Sequence, residues 1–231
     1  MSTAPALHYD RLVEAAGHLG ESHQWMIGKV PPGSRVLDVG CAGGYVARVL
    51  RDQKECVVDG IEMDPESAEH ARASCRSVQV GSLDDSSFLD SLQGSYDRVL
   101  CGDILEHLRD PAEVLRTVLS LLAPNGRLLV SIPNVAHWRL RLSLLRGAFD
   151  YDDSGLMDRT HLRFYTYPGV ARLVQEAGYR IVDQDLTIRT VAPEGARHRY
   201  RWPLLRAERA LALRFPNLIA YQTLLELAPR E

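Results

Sequence analysis

The sequence is nearly devoid of lysine: only Lys29 and Lys54 occur among 27 basic residues, and the rest are arginines. Arginine suits planar bidentate contacts, although such a bias also follows from base composition alone. There is no excess of positive charge. The formal net charge is −3 and the pI about 6.2, so no global field marks DNA or RNA as an obligatory partner. The four cysteines, Cys41, Cys56, Cys75 and Cys101, form no CxxC pair, which excludes a zinc knuckle and a disulfide scaffold; reduced, cytoplasmic thiols are expected. The N-terminal residues MSTAPALHYD lack a basic region followed by an apolar stretch. No apolar run approaches the ~18 residues of a membrane span. Secretion and integral membrane insertion are therefore not expected.

What is present is ordinary globular composition, 45% hydrophobic and 25% charged over 231 residues, enough for one large domain with a sizeable core. Short β-rich runs near 34–39, 56–61, 77–80, 96–102 and 127–132 alternate with segments of helical periodicity, the rhythm of an α/β fold. Asp64 before Pro65 and Asp110 before Pro111 place N-cap acceptors ahead of first-turn prolines. After Pro111, apolar residues recur at helical spacing until Pro124, Asn125 and Gly126, which are expected to end the helix. In a parallel sheet of this kind, ligands sit at the carboxyl ends of the strands.

The first strand end is the most informative. SRVLDVGCAGGYVARVL couples a buried strand to a small-residue loop from Gly40 to Gly44 and then to a helix. Asp38 ahead of the loop suits a ligand carrying an ammonium group and would repel a pyrophosphate. Where a dinucleotide fingerprint wants glycines at 40, 42 and 45, the chain has Gly40, Ala42 and Tyr45.

VLDVGCAGG resembles motif I of the class I S-adenosylmethionine-dependent methyltransferases, with Asp38, Gly40 and Gly44 matching and Ala42 in place of the middle glycine. The resemblance implies that the loop, including Cys41, cradles the methionine part of S-adenosylmethionine. It implies that Glu62, ending CVVDGIEMD, accepts from the ribose hydroxyls, that Met63 lies against adenine, and that Ser82 and Leu83 lie near its amine. Ser82 is equally a local turn former. The implied fold is Rossmann-like, a mostly parallel seven-stranded sheet in the order 3-2-1-4-5-7-6 with helices on both faces. YRIVDQDLTIRTV would be its sixth strand and LIAYQTLLELA its seventh, with residues 197–214 largely helical between them.

The fourth strand ends near Gly102, which the methyltransferase resemblance places among the cofactor-binding residues, and is followed by Asp103, Glu106 and His107 at spacing i, i+3, i+4, which share a face if the segment makes one helical turn. Two carboxylates and an imidazole can bind a cation. The spacing resembles the metal-binding pattern of small-RNA 2′-O-methyltransferases and ubiquinone-pathway O-methyltransferases, which also supply a later histidine, here His161 in RTHLRFYT. By that resemblance Asp103, Glu106, His107 and His161 would hold Mg²⁺, although Asp103 is shorter than the usual Glu. Without a metal, His161 or His137 is the candidate general base.

Residues 134–165 form a long connection and the expected acceptor-binding insertion; residues 1–30 are the expected N-terminal helical cover, with Tyr9, His23 and Trp25, of a single domain spanning 1–231. Within the insertion Arg159 either meets the acceptor or pairs with Asp153 or Asp158. Residues 136–147 mix leucines and arginines without an acid and suit either a membrane surface or a phosphate-bearing acceptor, with leucines as core and arginines as rim the ordinary alternative. A second basic stretch covers 197–214.

Taken together, the expectation is O-methylation of a hydroxyl on a sugar, glycan precursor or other small metabolite, with an anionic portion met by arginines. An RNA ribose 2′-O-methyltransferase and a non-catalytic cofactor-binding protein are the alternatives, and a homodimer is left open.

Overall fold

The computed structural model describes residues 19–188 and 201–230. Its sheet has seven strands in the order β3-β2-β1-β4-β5-β7-β6. The strands are β1 (Arg35–Val39), β2 (Val57–Glu62), β3 (Ser77–Val80), β4 (Tyr96–Gly102), β5 (Leu122–Pro133), β6 (Tyr179–Thr187) and β7 (Gln222–Pro229). The first five pair in parallel, and β7 inserts antiparallel between β5 and β6. The expected architecture and strand order are both observed.

Alternation along the central strands builds two cores. Val99 and Cys101 of β4 and Leu128 and Val130 of β5 face one side, while Leu100 and Leu129 face the other. The first side is covered by α5 (Pro111–Ser120), through Val114, Leu115 and Val118, and by α7 (Tyr167–Glu176), through Val170 and Val174. The second is covered by α1 (Glu21–Lys29), through Met26, and by α2 (Tyr45–Lys54), through Val46, Ala47 and Leu50. Full burial of each Val, Leu or Met among them is worth about 1.5–3 kcal/mol, which fixes the sheet rigidly enough to carry a site on its rim.

The short α3 (Pro65–Ala71) and α4 (Ser86–Ser91) follow β2 and β3. Asp64 accepts the Ser67 N–H at 2.8 Å and Asp110 that of Glu113 at 3.0 Å, so both expected N-caps form. Helix α5 ends at Ser120, before the Pro-Asn-Gly signal. That signal instead lies inside β5, where Asn125 takes φ +68° and the register with β4 slips between Tyr96 and Arg98. The seventh strand begins at Gln222, because Pro216–Ile219 winds into a helical turn, α9, after α8 (Arg201–Arg214). The proposed tail of the sixth strand at 189–191, the basic residues 197–200, and residues 1–18 with Tyr9 lie outside the described residues.

In the insertion, Trp138–Leu145 is a helix, α6, despite its alternating pattern. The core reading of its leucines holds for Leu140 alone, since Leu142, Leu144 and Leu145 are exposed. Asn134 bridges to Tyr165 and closes the base of the insertion.

Candidate functional site

The chain turns sharply at the end of β1. Gly40, Ala42 and Gly44 all have positive φ, +75°, +46° and +78°, a region that costs a residue with a Cβ roughly 1–2 kcal/mol. Ala42 bears this strain. A Cβ on Gly40 would lie 2.1 Å from Ile104 Cδ1, which would have to move aside, and one on Gly44 would lie 2.9 Å from the Ala71 backbone, which leaves no room for a side chain. The loop is tied to the neighbouring strand: Gly40 and Cys41 donate to the Ile61 carbonyl at 2.8 and 3.0 Å.

Asp38 and Glu62 stand at the adjacent ends of β1 and β2, both buried. Glu62 accepts the Ala42 N–H and the Asp64 N–H, each at 2.9 Å, one on each oxygen. Burial, and secondarily the nearby Glu62, push the Asp38 carboxyl up to about 7. A hydrogen bond with Cys75, and then burial, drive the Cys41 thiol upward, so it is an inert packing group beneath the loop. Met63 is 72% exposed next to Glu62, an apolar side chain open to a flat ring. Ser82 is exposed and its hydroxyl accepts from the Asp84 N–H, a local turn; Leu83 packs on the core. Helix α1 covers Gly102: a Cβ there would lie 3.5 Å from Met26 Sδ and 3.8 Å from His23 Nε2. These strand ends bring together one carboxylate suited to an ammonium, one suited to a diol and an exposed apolar side chain, which fits the chemistry of S-adenosylmethionine.

The cluster after β4 departs from the expected single helical turn. Asp103 takes φ +53°, and only Leu105–His107 coil, as a 3₁₀ turn. The Asp103 carboxylate accepts from Ser131 Oγ at 2.8 Å and Gln222 Nε2 at 2.9 Å, and it does not join the group that the other three proposed metal ligands form. Those three do converge. One ligand atom each from Glu106, His107 and His161 lies within 4.8 Å of the others, and His161 Nε2 is 4.0 Å from Glu106 Oε1.

Glu106 is fully enclosed, and neither carboxylate oxygen has a hydrogen-bond partner. Burial, and then the Asp103 charge, hold its carboxyl well above the usual carboxylate range. His161 is lowered by burial and by His107. His107 is oriented from behind, with Nδ1 at 3.1 Å from Thr160 Oγ1, whose hydroxyl donates to Asp158 at 2.6 Å. Two imidazoles and one carboxylate form a borderline donor set that suits Zn²⁺, Fe²⁺ or Co²⁺ better than the expected Mg²⁺.

His137, the other base candidate, is buried as the N-cap of α6, where Nδ1 accepts the Arg139 N–H at 3.3 Å. Arg159 pairs with Asp153 at 2.7 Å. Sequence reasoning missed Gln222 and Ser131, which clamp Asp103, and Thr160, which aims His107. Phe149, Tyr151 and Phe164 form an exposed aromatic wall with ring centroids 5.7–6.5 Å apart, and Phe164 is 6.2 Å from His161.

A family model described as a methyltransferase domain matches residues 11–184. The ubiquinone biosynthesis O-methyltransferase of Aeromonas salmonicida is 30% identical over 158 residues, 65% of each chain. That of Xanthomonas campestris is 38% identical over 109 residues, 45% of this chain and 44% of the relative. The matched region thus spans less than two thirds of these curated relatives. Among solved structures, a TehB-like SAM-dependent methyltransferase from Corynebacterium glutamicum superposes with TM-score 0.60 at 14% identity, covering 98% of this chain and 99% of that one. Magnesium protoporphyrin IX methyltransferase from Synechocystis with bound SAH gives 0.58 at 17% identity, covering 97% and 84%. Motif, strand order and family match converge: the chain belongs to the methyltransferase-domain family, class I S-adenosylmethionine-dependent methyltransferases.

Proposed function

We propose that the protein methylates a hydroxyl oxygen of a small molecule. S-adenosylmethionine, when bound, supplies an electrophilic methyl group. The chain's own task is then to hold donor and acceptor in line and to manage one proton. Asp38 faces the ammonium, the loop from Gly40 to Gly44 receives the methionine chain, Glu62 takes the ribose and Met63 the adenine. Helix α1 acts as the cover over Gly102, and residues 134–165 are the acceptor side of a single domain.

The observation that carries the oxygen acceptor is Glu106: a buried carboxyl with both oxygens unpartnered beside two imidazoles. A buried acid so placed calls for a cation or a proton. Glu106, His107 and His161 would hold a divalent ion, which lowers the pKa of a bound hydroxyl. Asp158, through Thr160, keeps His107 turned toward that position. Where the trio carries no ion, His161, kept neutral by its surroundings, accepts the acceptor's proton.

The wall of Phe149, Tyr151 and Phe164 favours an acceptor with an aromatic or apolar face over a bare sugar. The names of the relatives, O-methyltransferases of ubiquinone biosynthesis, agree with an oxygen acceptor. Methyl-labelled cofactor offered with panels of phenols, sugars and other hydroxylated metabolites tests the reading. Label entering a phenolic or apolar-ring hydroxyl supports it; label entering only amines or ring carbons contradicts it.

A further inference from the structure

Helix α6 (Trp138–Leu145) turns most of its leucines to the surface. Leu142, Leu144 and Leu145 are 37%, 49% and 84% exposed. A single exposed leucine is unremarkable, but a cluster on one short element marks an interaction surface. Residues 136–149 also contain Arg139, Arg141 and Arg146 and no acid.

A second exposed apolar pair adjoins this helix. The turn Pro216–Ile219 is fastened to its base by Asn134 Nδ2, which donates to the Ala220 carbonyl at 2.8 Å, and by Arg141 Nη2, which reaches the Asn217 carbonyl at 3.5 Å. Phe215 precedes that turn and Leu218 lies within it, both exposed, and the Arg214 guanidinium lies 5.1 Å from the Phe215 ring. Two basic, apolar segments about 70 residues apart in sequence thus meet in space.

We propose that this joint surface seats the protein on an anionic lipid bilayer, with Leu144, Leu145 and Phe215 at the acyl boundary and Arg139, Arg146 and Arg214 among the headgroup phosphates. The interleaving of charge and leucine selects this occupant. Arginines beside leucines can lay their stems along the acyl boundary and set their guanidinium groups among headgroup phosphates, and residues 136–149 offer that arrangement with no acid to oppose it. The absence of acids over residues 136–149 complements the negative surface. No helix among the described residues is long and apolar enough to cross a membrane, so the contact is peripheral.

Sedimentation of the full chain with vesicles tests the proposal, comparing phosphatidylcholine alone with phosphatidylcholine containing phosphatidylglycerol. The wild type is expected to pellet with the anionic vesicles only and to be released by high salt. The variant Leu144→Glu/Leu145→Glu is expected to lose at least about tenfold in partition, and Arg139→Gln/Arg146→Gln about fivefold per arginine. Both should keep the wild-type melting temperature, since none of these side chains packs in the core. The proposal is overturned if the wild type stays in the supernatant, if both variants pellet equally with it, or if the wild type self-associates without vesicles and Leu144→Glu/Leu145→Glu abolishes that association.

Discussion

Glu62 holds the backbone N–H of Ala42 at 2.9 Å, tying the end of β2 to the strained apex of the loop after β1. The same carboxylate takes Asp64 N–H on its other oxygen, and each oxygen keeps a free lone pair for a ribose hydroxyl. One side chain therefore shapes the loop and, on the proposed function, would receive the cofactor. Glu62→Gln replaces one acceptor oxygen by a donor and is expected to weaken S-adenosylhomocysteine about 10- to 100-fold, a loss of about 1.4–2.8 kcal/mol. Calorimetric titration measures this. Unchanged affinity would remove Glu62 from the site.

Asp38 gives the site a pH signature. The unfolded carboxyl titrates near 3.9. The folded one, buried beside Glu62, titrates at about 7. Between those values the folded chain keeps a proton that the unfolded chain has lost, so the stability contribution is fully present at low pH and disappears as pH rises through 7. An ammonium set against Asp38 needs the ionised form, so binding expels the proton. Below pH 7 the affinity for S-adenosylhomocysteine is expected to rise by up to about tenfold per pH unit and then level off. Asp38→Asn should bind weakly with a flat profile. A flat wild-type profile from pH 5.5 to 8 would contradict the assignment of Asp38 to the ammonium.

Gly44 is confined both by its φ of +78° and by the Ala71 backbone, 2.9 Å from where a Cβ would stand. Because the clash is with main chain, no rotamer relieves it. Gly44→Ala is expected to cost about 2–4 kcal/mol and to shift the loop enough to abolish cofactor binding. Thermal melts with and without S-adenosylhomocysteine give both quantities.

The strand ends explain how far the sequence carried. Asp38, the 40–44 loop and Glu62 announce themselves because each lies next to its strand, so local spacing already fixes which residues share the rim. The N-caps at Asp64 and Asp110 were legible for the same reason. Asp103 was not. Its spacing to Glu106 promised a shared helical face, but Gln222, 119 residues away on an antiparallel strand, captures its carboxylate, and nothing local signals such a partner. The leucines of α6 were equally open: composition allowed core, acceptor contact or a membrane surface, and only the packed structure shows three of them facing outward.

The trio of Glu106, His107 and His161 makes a prediction independent of acceptor identity. Titration with Zn²⁺, Co²⁺ and Mg²⁺ should show binding of the first two well ahead of Mg²⁺, and Co²⁺ should give a visible absorption band. Glu106→Gln removes the one anionic ligand and should weaken the metal by at least about 100-fold, while leaving the affinity for S-adenosylhomocysteine close to wild type. Equal Co²⁺ spectra for wild type and Glu106→Gln would separate the trio from metal binding.

A cofactor site where β1 meets β2 is the central proposal. The most direct measurement is calorimetric titration of the wild type and Glu62→Ala with S-adenosylhomocysteine. The account predicts one site per chain with micromolar affinity, about −8 kcal/mol, in the wild type and no measurable heat of binding in Glu62→Ala at an unchanged fold. No binding by the wild type, or equal binding by the two proteins, would contradict it.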